Sequence, residues 1–85
     1  MLDELLILKK IKGGDIKAFE ELFRRYYFPL CCYAAGITGQ MAVAEEIVEE
    51  LFYVLWKERE RLQIFQSVKS YLYRATRNQS LQYCE

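Results

Sequence analysis

The sequence contains no histidine, and this absence removes several kinds of chemistry at once. Histidine is the commonest general base, the commonest zinc ligand and the only side chain whose unperturbed pKa lies near neutrality. Hydrolytic triads and histidine-based metal sites are therefore excluded. Because no other nucleophile constellation or phosphate-cradling loop is visible, we expect no enzyme, no catalytic residue, no metal site and no cofactor.

Cysteine is scarce and has no informative spacing. Cys31 and Cys32 are adjacent and Cys84 is distant, so there is no Cys-x-x-Cys redox or zinc motif. We interpret them as reduced thiols, with Cys31 and Cys32 packed on a helix as small apolar residues. The acidic N-terminus does not resemble a signal peptide, and no run approaches the roughly 18 apolar residues of a membrane span. We therefore expect a cytoplasmic protein without membrane insertion.

Proline and glycine are rare, with one proline and four glycines in 85 residues. So few breakers leave long helical segments, and no β-hairpin pattern is present. We predict an all-α fold, a small bundle of about four helices, in a single domain over residues 1–85. The first predicted helix spans about residues 2–12, and the second starts after its cap at residue 15 and ends between residues 36 and 39. The third spans about residues 41–62, and the fourth follows Ser67.

Apolar residues at helical spacing define the expected core of this bundle. The predicted core positions are Leu5, Leu8 and Ile11, then Phe19, Leu22, Phe23, Tyr26, Tyr27, Leu30 and Ala34, then Ala44, Ile47, Val48, Leu51, Val54 and Leu55, and last Val68, Tyr71, Leu72 and Ala75, with Gln79 and Gln82 as polar members. Asp15 and Ser67 are predicted N-caps, and the pair Gly13 and Gly14 a C-cap. Pro29 predicts a kink or a broken turn near Phe28.

Charge is balanced overall but divided along the chain. A formal net charge of zero argues, by itself, against a nucleic-acid binder. Residues 41–60, however, hold six glutamates against Lys57 and Arg59, whereas residues 61–84 hold four basic residues and no acid. The neutrality is a cancellation between two segments of opposite sign.

The third helix carries the acidic segment on its predicted outer face. That face holds Glu46, Glu49, Glu50, Tyr53, Lys57 and Glu60, with Glu45, Phe52 and Trp56 at one flank. Like charges four residues apart, such as Glu45 and Glu49, destabilise a free helix by about 0.2–0.5 kcal/mol per pair. A basic partner would explain them, and aromatic residues are typical of interfaces. An ordinary solvated face explains them equally well, because the helix dipole favours acids toward the N-terminal half.

The fourth helix carries the opposite sign. Its predicted outer face holds Lys69, Ser70, Tyr73, Arg74 and Arg77. Guanidinium groups beside an aromatic ring suit phosphate contact and base stacking, and amides in the preceding loop could hold a base drawn out of its stack. Two alternatives stay open, namely a basic face that serves solubility and a Phe65 ring that seals the end of the bundle.

Three segments carry a resemblance to a known family. Residues 14–27 read GDIKAFEELFRRYY, residues 44–56 read AEEIVEELFYVLW, and residues 71–78 read YLYRATRN. In this order and spacing they resemble the opening signature, the core-binding helix and the promoter helix of region 2 in bacterial sigma factors of the extracytoplasmic-function type, within the sigma-70 superfamily.

The resemblance implies a transcription initiation module that binds RNA polymerase core and recognises and helps melt the promoter minus-ten element. It assigns contacts with the clamp helices of the polymerase β′ subunit to Glu45, Glu46, Glu49, Glu50, Phe52 and Tyr53. It assigns contacts with the non-template strand of promoter DNA to Gln63, Phe65, Gln66, Ser67, Lys69, Tyr73, Arg74, Arg77 and Asn78. An anti-sigma factor is a further partner that it implies.

The sequence also departs from this family. Gln79 and Gln82 occupy positions where the family keeps apolar residues. The region 4 helix-turn-helix domain of full-length members is absent, so we expect either a fragment or a chain that cannot recognise a complete promoter alone. A competing hypothesis is a helical protein-interaction module without DNA binding, which grips a basic helix with the acidic face of the third helix.

Overall fold

The computed structural model describes residues 4–63 and 67–85, and within them it contains four α-helices, one 3-10 turn and no strand. The elements are α1 (Glu4–Lys12), α2 (Ile16–Thr38), α3 (Met41–Lys57), the 3-10 turn (Arg59–Arg61) and α4 (Val68–Cys84). The predicted all-α bundle is confirmed. The predicted third helix is shorter than expected, and the predicted start of the first helix at Leu2 lies outside the described residues.

The glycine pair ends α1 as predicted. Gly14 has a φ of 90°, in the left-handed region that favours glycine. Its N–H donates to the Ile11 carbonyl at 2.9 Å, and the Asp15 N–H donates to the Lys10 carbonyl at 3.0 Å. These two bonds satisfy carbonyls that a helix C-terminus leaves open. The Asp15 carboxylate then accepts two backbone N–H groups of α2, which confirms it as the N-cap.

α2 continues through Pro29, so the broken turn expected near Phe28 does not occur. Pro29 lies on the exposed side of the helix, where water can bind the Arg25 carbonyl that has lost its helical donor. α2 continues past Gly36 and ends at Thr38, within the predicted range of 36 to 39. Gly39 has a φ of 79° and donates its N–H to the Ala35 carbonyl at 2.8 Å.

The core forms along α2, which packs against each of the other three helices. Its fully buried members include Ile7 and Ile11 from α1, Leu22 and Leu30 from α2, Val48 and Phe52 from α3, and Val68 and Leu72 from α4. Leu5 was predicted in the core but is 41% exposed, and Ile7 is buried in its place. Of the two adjacent thiols, Cys31 is buried as expected, whereas Cys32 is exposed. Burial raises the pKa of Cys31.

α3 is rotated relative to the face that the sequence predicts. Its buried residues are Ala44, Val48, Phe52 and Leu55, whereas Ile47 and Leu51 are half-buried and Val54 is exposed. Phe52 contacts Phe19 and Phe23 of α2 with ring centroids 6.1 and 5.0 Å apart. A phenylalanine ring buries more apolar area than a valine side chain, and ring pairs add a further stabilisation. The rotation therefore turns the larger side chain inward and leaves one apolar edge of α3 uncovered.

α4 begins at its predicted cap, because the Ser67 hydroxyl accepts the Ser70 N–H at 3.1 Å. The buried residues of α4 follow a spacing of four, and they are Val68, Leu72, Thr76 and Ser80. Gln79 and Gln82 were predicted to continue the core stripe, but both are exposed. Because the stripe follows every fourth residue, it places the small hydroxyl side chains of Thr76 and Ser80 inside the bundle instead.

Three tyrosines of α2 each join it to a different helix. They are Tyr26, which donates to Glu4 of α1 at 2.7 Å, Tyr27, which donates to Glu49 of α3 at 3.0 Å, and Tyr33, whose ring meets that of Tyr73 on α4. Glu4 also accepts a hydrogen bond from Arg25 at 3.2 Å. Burial, with the Glu4 hydrogen bond acting in the same direction, raises the pKa of Tyr26 to about 12.

Candidate functional site

α3 presents most of its charged residues to solvent. We define the acidic surface as Glu45, Glu46, Glu49, Glu50 and Tyr53. All five are exposed, and Tyr53 is 60% exposed. None of the four glutamates makes an ion pair with a residue that the structure describes; the pairs found there join Arg25 to Glu4 and Glu21, and Arg61 to Glu58. Four carboxylates without a counter-charge suit a basic partner surface.

Phe52 does not belong to this surface. The sequence placed it at the flank of the exposed face as a polymerase contact, but it is only 1% exposed and is enclosed by the rings of α2. The predicted placement is therefore wrong. Phe52 instead belongs to the core, where its contacts with Phe19 and Phe23 favour the observed rotation of α3.

Glu49 is the member of the acidic surface with a fixed side chain. Its Oε2 accepts the Tyr27 hydroxyl at 3.0 Å. Burial and this hydrogen bond both raise the pKa of Tyr27, so the hydroxyl stays protonated and remains a donor at neutral pH. The carboxylate of Glu49 is thus held on the side of α3 that faces α2.

A groove of about 570 Å³ separates α3 from the C-terminal half of α4. Its apolar part includes Ile47, Leu51 and Val54, which the sequence predicted in the core, and Glu46 and Glu50 line the same groove. The residues of α4 that line it are Ala75, Asn78, Gln79 and Tyr83. The acidic surface therefore continues into an apolar groove that the rotation of α3 leaves open.

α4 presents a surface of opposite sign. We define the basic surface as Lys69, Arg74 and Arg77, which are all exposed and make no ion pair with any residue in 4–63 or 67–85. α4 contains no acidic residue that could neutralise them. Gln63 and Ser67 are exposed near its N-terminus, and the Ser67 hydroxyl serves as the helix cap.

Tyr73 and Asn78 lie on opposite edges of α4. Tyr73 is half-buried against Tyr33 of α2, with ring centroids 5.1 Å apart and ring planes at 69°. Asn78 lines the groove on the side of α3. The structure therefore groups Tyr73 with the α2 edge of the helix and separates it from Asn78, although the sequence predicted both as DNA contacts.

A comparison with models of known protein families finds a match. A family model for sigma-70 region 2 matches residues 22–85. The chain belongs to the sigma-70 region 2 family. Neither a curated protein nor a solved structure matches it. Region 2 is a part of sigma factors that is involved in RNA polymerase binding and promoter melting, and it is not an enzyme family.

The matched range of this region 2 domain covers all of α3 and α4 and most of α2. Two of the three sequence segments that carry the resemblance, 44–56 and 71–78, lie inside the matched range, whereas 14–27 overlaps it at one end. In the described part of the chain, no helix combines the length and apolar composition that a membrane crossing requires.

Sequence reasoning missed two residues at the surfaces of the region 2 domain. Tyr27 was assigned to the core stripe, and its hydroxyl contact with Glu49 could not be foreseen because it depends on the rotation of α3. Tyr33 was not singled out at all, since nothing in the local pattern of α2 indicates a partner on α4. Phe65 and Gln66, which the resemblance assigns to DNA, lie outside the described residues.

Proposed function

We propose that this region 2 domain is the polymerase-binding and promoter-opening part of a sigma factor of the extracytoplasmic-function type. In this proposal the acidic surface binds the clamp helices of the polymerase β′ subunit. The basic surface, with Tyr73, binds the non-template strand of the minus-ten element. An anti-sigma factor is a further proposed partner, and the proposed location is the cytoplasm.

One observation carries this proposal. Two exposed surfaces of opposite sign lie on α3 and α4, and neither is neutralised by an ion pair with the described residues. A solvated surface gains little from four adjacent carboxylates, because their mutual repulsion costs stability. Separate partners of opposite charge account for both surfaces. The family membership supplies two such partners, a protein and DNA.

The proposed mechanism follows from the cost of opening DNA. Unstacking and unpairing a base costs a few kcal/mol. Contacts between Lys69, Arg74 or Arg77 and phosphates release counterions, and an aromatic ring such as that of Tyr73 can stack on an unpaired base. Together these contacts offset the cost of opening. The domain therefore traps a strand that has separated and performs no bond-breaking chemistry.

The proposal is tested by selection from a randomised pool of single-stranded DNA in the presence of purified bacterial polymerase core. We expect an enriched sequence that binds more tightly than a scrambled oligonucleotide. Arg74→Ala and Arg77→Ala should each weaken that binding about 5-fold and lower the salt dependence by about one phosphate contact. Arg24→Ala, which removes an exposed charge from α2, is the matched control and should bind as the wild type does.

Two results would contradict the proposal. One is the absence of any enriched sequence, and the other is unchanged binding by both arginine variants.

The groove between α3 and α4 favours a second candidate function, a helical protein-interaction module, because Glu46 and Glu50 beside Ile47, Leu51 and Val54 suit a basic amphipathic helix. This second function predicts binding of a basic protein helix without sequence preference in DNA.

A further inference from the structure

The contact between Tyr33 and Tyr73 lies at the edge of the proposed DNA surface. The two ring planes meet at 69° with centroids 5.1 Å apart, which is an edge-to-face arrangement. Tyr33 is 37% exposed and Tyr73 is half-buried, so the pair is open to solvent on one side. Tyr33 therefore joins two helices without being part of the buried core.

The surroundings of this pair carry positive charge. Lys69 and Arg77 stand four residues before and after Tyr73, so all three share one side of α4. On the α2 side, residues 26–44 contain no charged side chain. A polyanion that approaches the two rings thus meets two exposed cations, whereas the acidic residues of α2, Glu20 and Glu21, lie about three turns earlier in that helix. On α1, the Glu4 carboxylate binds the Tyr26 hydroxyl and is already paired with Arg25. Backbone phosphates fit the cations, and a nucleobase fits the rings.

We propose that Tyr33 and Tyr73 together form an aromatic platform for one unpaired base of single-stranded DNA, which makes Tyr33 of α2 a DNA-binding residue. This inference rests on the proposed function and adds a residue from a different helix to its DNA surface. The edge-to-face contact holds the Tyr73 ring in one orientation. A platform that is ordered before binding loses less side-chain entropy when a base stacks on it.

The inference makes the ring of Tyr33, and not its hydroxyl, the important group. Tyr33→Leu keeps an apolar side chain of helical preference but removes the ring, whereas Tyr33→Phe keeps the ring. Tyr33→Gln is a second ringless variant in case the leucine variant does not fold. Tyr83→Leu removes an exposed tyrosine from the groove side of α4 and serves as the control.

The experiment measures fluorescence anisotropy of the selected single-stranded oligonucleotide with each full-chain variant and polymerase core. Loss of base stacking should weaken binding about 10-fold in Tyr33→Leu and Tyr33→Gln. Tyr33→Phe and Tyr83→Leu should stay within about 2-fold of the wild type, and the affinity for polymerase core should not change in any of them. A 2-aminopurine base placed at each position in turn should show one position whose fluorescence is quenched by the wild type but not by Tyr33→Leu.

The outcomes separate this inference from the function on which it rests. Should Tyr33→Leu and Tyr33→Gln bind as the wild type does while Arg74→Ala and Arg77→Ala bind weakly, the ring pair is packing only and the inference is wrong. Equal weakening by Tyr33→Phe and Tyr33→Leu also overturns it, because the ring is then not the determinant. If the wild type selects no sequence, the proposed function fails and the inference fails with it.

Discussion

The Tyr27 hydroxyl donates to Glu49 Oε2 at 3.0 Å and so ties the acidic surface to α2. Among the described residues, Glu45, Glu46 and Glu50 receive no such bond, so their side chains can adapt to a partner while that of Glu49 is already placed. An intramolecular hydrogen bond of this kind contributes about 0.5–1.5 kcal/mol to stability. Tyr27→Phe should lower the free energy of unfolding, measured in urea, by that amount. Tyr83→Phe is the control and should leave it unchanged; equal stability of the two variants would contradict the assignment.

Reversing the charge of Glu46 should weaken binding to polymerase core. We expect Glu46→Lys to bind about 10-fold less tightly, because it replaces attraction to a basic partner with repulsion. The measurement is a titration of labelled chain with core enzyme at two salt concentrations. Glu20→Lys makes the same change of net charge at an exposed position on α2. If both variants lose affinity equally, net charge and not the acidic surface governs binding.

Tyr53 and Phe52 are neighbours in sequence, but Tyr53 is exposed and Phe52 is buried. Tyr53→Ala removes an exposed ring from the acidic surface and should weaken polymerase binding about 10-fold with little change in stability. Phe52→Leu alters a buried ring and should cost about 1 kcal/mol of stability while folded molecules keep their affinity. Urea unfolding and core binding of both variants check this division. A loss of affinity in folded Phe52→Leu that exceeds the loss in Tyr53→Ala would refute it.

The Thr76 hydroxyl is buried and has no hydrogen-bond partner among the residues described. Leaving a buried polar group unsatisfied costs about 1–3 kcal/mol. Thr76→Val keeps the shape of the side chain and removes that group, so it should raise the free energy of unfolding by about 1 kcal/mol. Thr38→Val is the matched control, because the Thr38 hydroxyl bonds the backbone of Gln40 and its loss should destabilise the protein. Destabilisation by both variants would show that Thr76 is satisfied in solution.

Alkaline pH should destabilise the fold partly through Tyr26. Its pKa is raised to about 12, whereas an unfolded tyrosine has a pKa of about 10. The folded state therefore holds the phenol proton more tightly, and the resulting stabilisation is complete below about pH 10 and is lost as the pH rises from about 10 to 12. The raised pKa of Tyr27 acts in the same direction. Urea unfolding at about pH 9 and pH 11 should show a smaller loss of stability in Tyr26→Phe; an equal loss would contradict this.

The four helices, the ends of α1 and α2 and the starts of α2 and α4 could be read from the sequence because their causes are local, whereas the end of α3 at Lys57 could not. Gly14 and Gly39 supply the left-handed residues that end α1 and α2, and Asp15 and Ser67 supply the caps that start α2 and α4. Each of these features depends on side chains within a few residues. The broken turn expected near Phe28 does not occur, because the solvent-exposed side of a long helix tolerates the absence of the backbone N–H at Pro29.

The rotation of α3 could not be read in the same way. The predicted core stripe of α3 is partly confirmed, since Ala44, Val48 and Leu55 are buried. Its other members, Ile47, Leu51 and Val54, lie at the edge, and Phe52, which contacts rings on α2, is buried instead. This difference is a tertiary effect, and it decides two features of the site at once. It removes Phe52 from the candidate surface and opens the groove beside α4.

The three tyrosine contacts of α2 have a consequence for how the molecule can change. α3 and α4 contact each other, but each packs more extensively on α2, to which Tyr27 and Tyr33 join them. A substitution on the outer side of one of them therefore does not have to be compensated on the other. Under the proposed function, binding to polymerase and binding to DNA can thus be altered separately by evolution or by engineering. Substitutions in α2 do not have this freedom, since one helix would transmit its displacement to both surfaces.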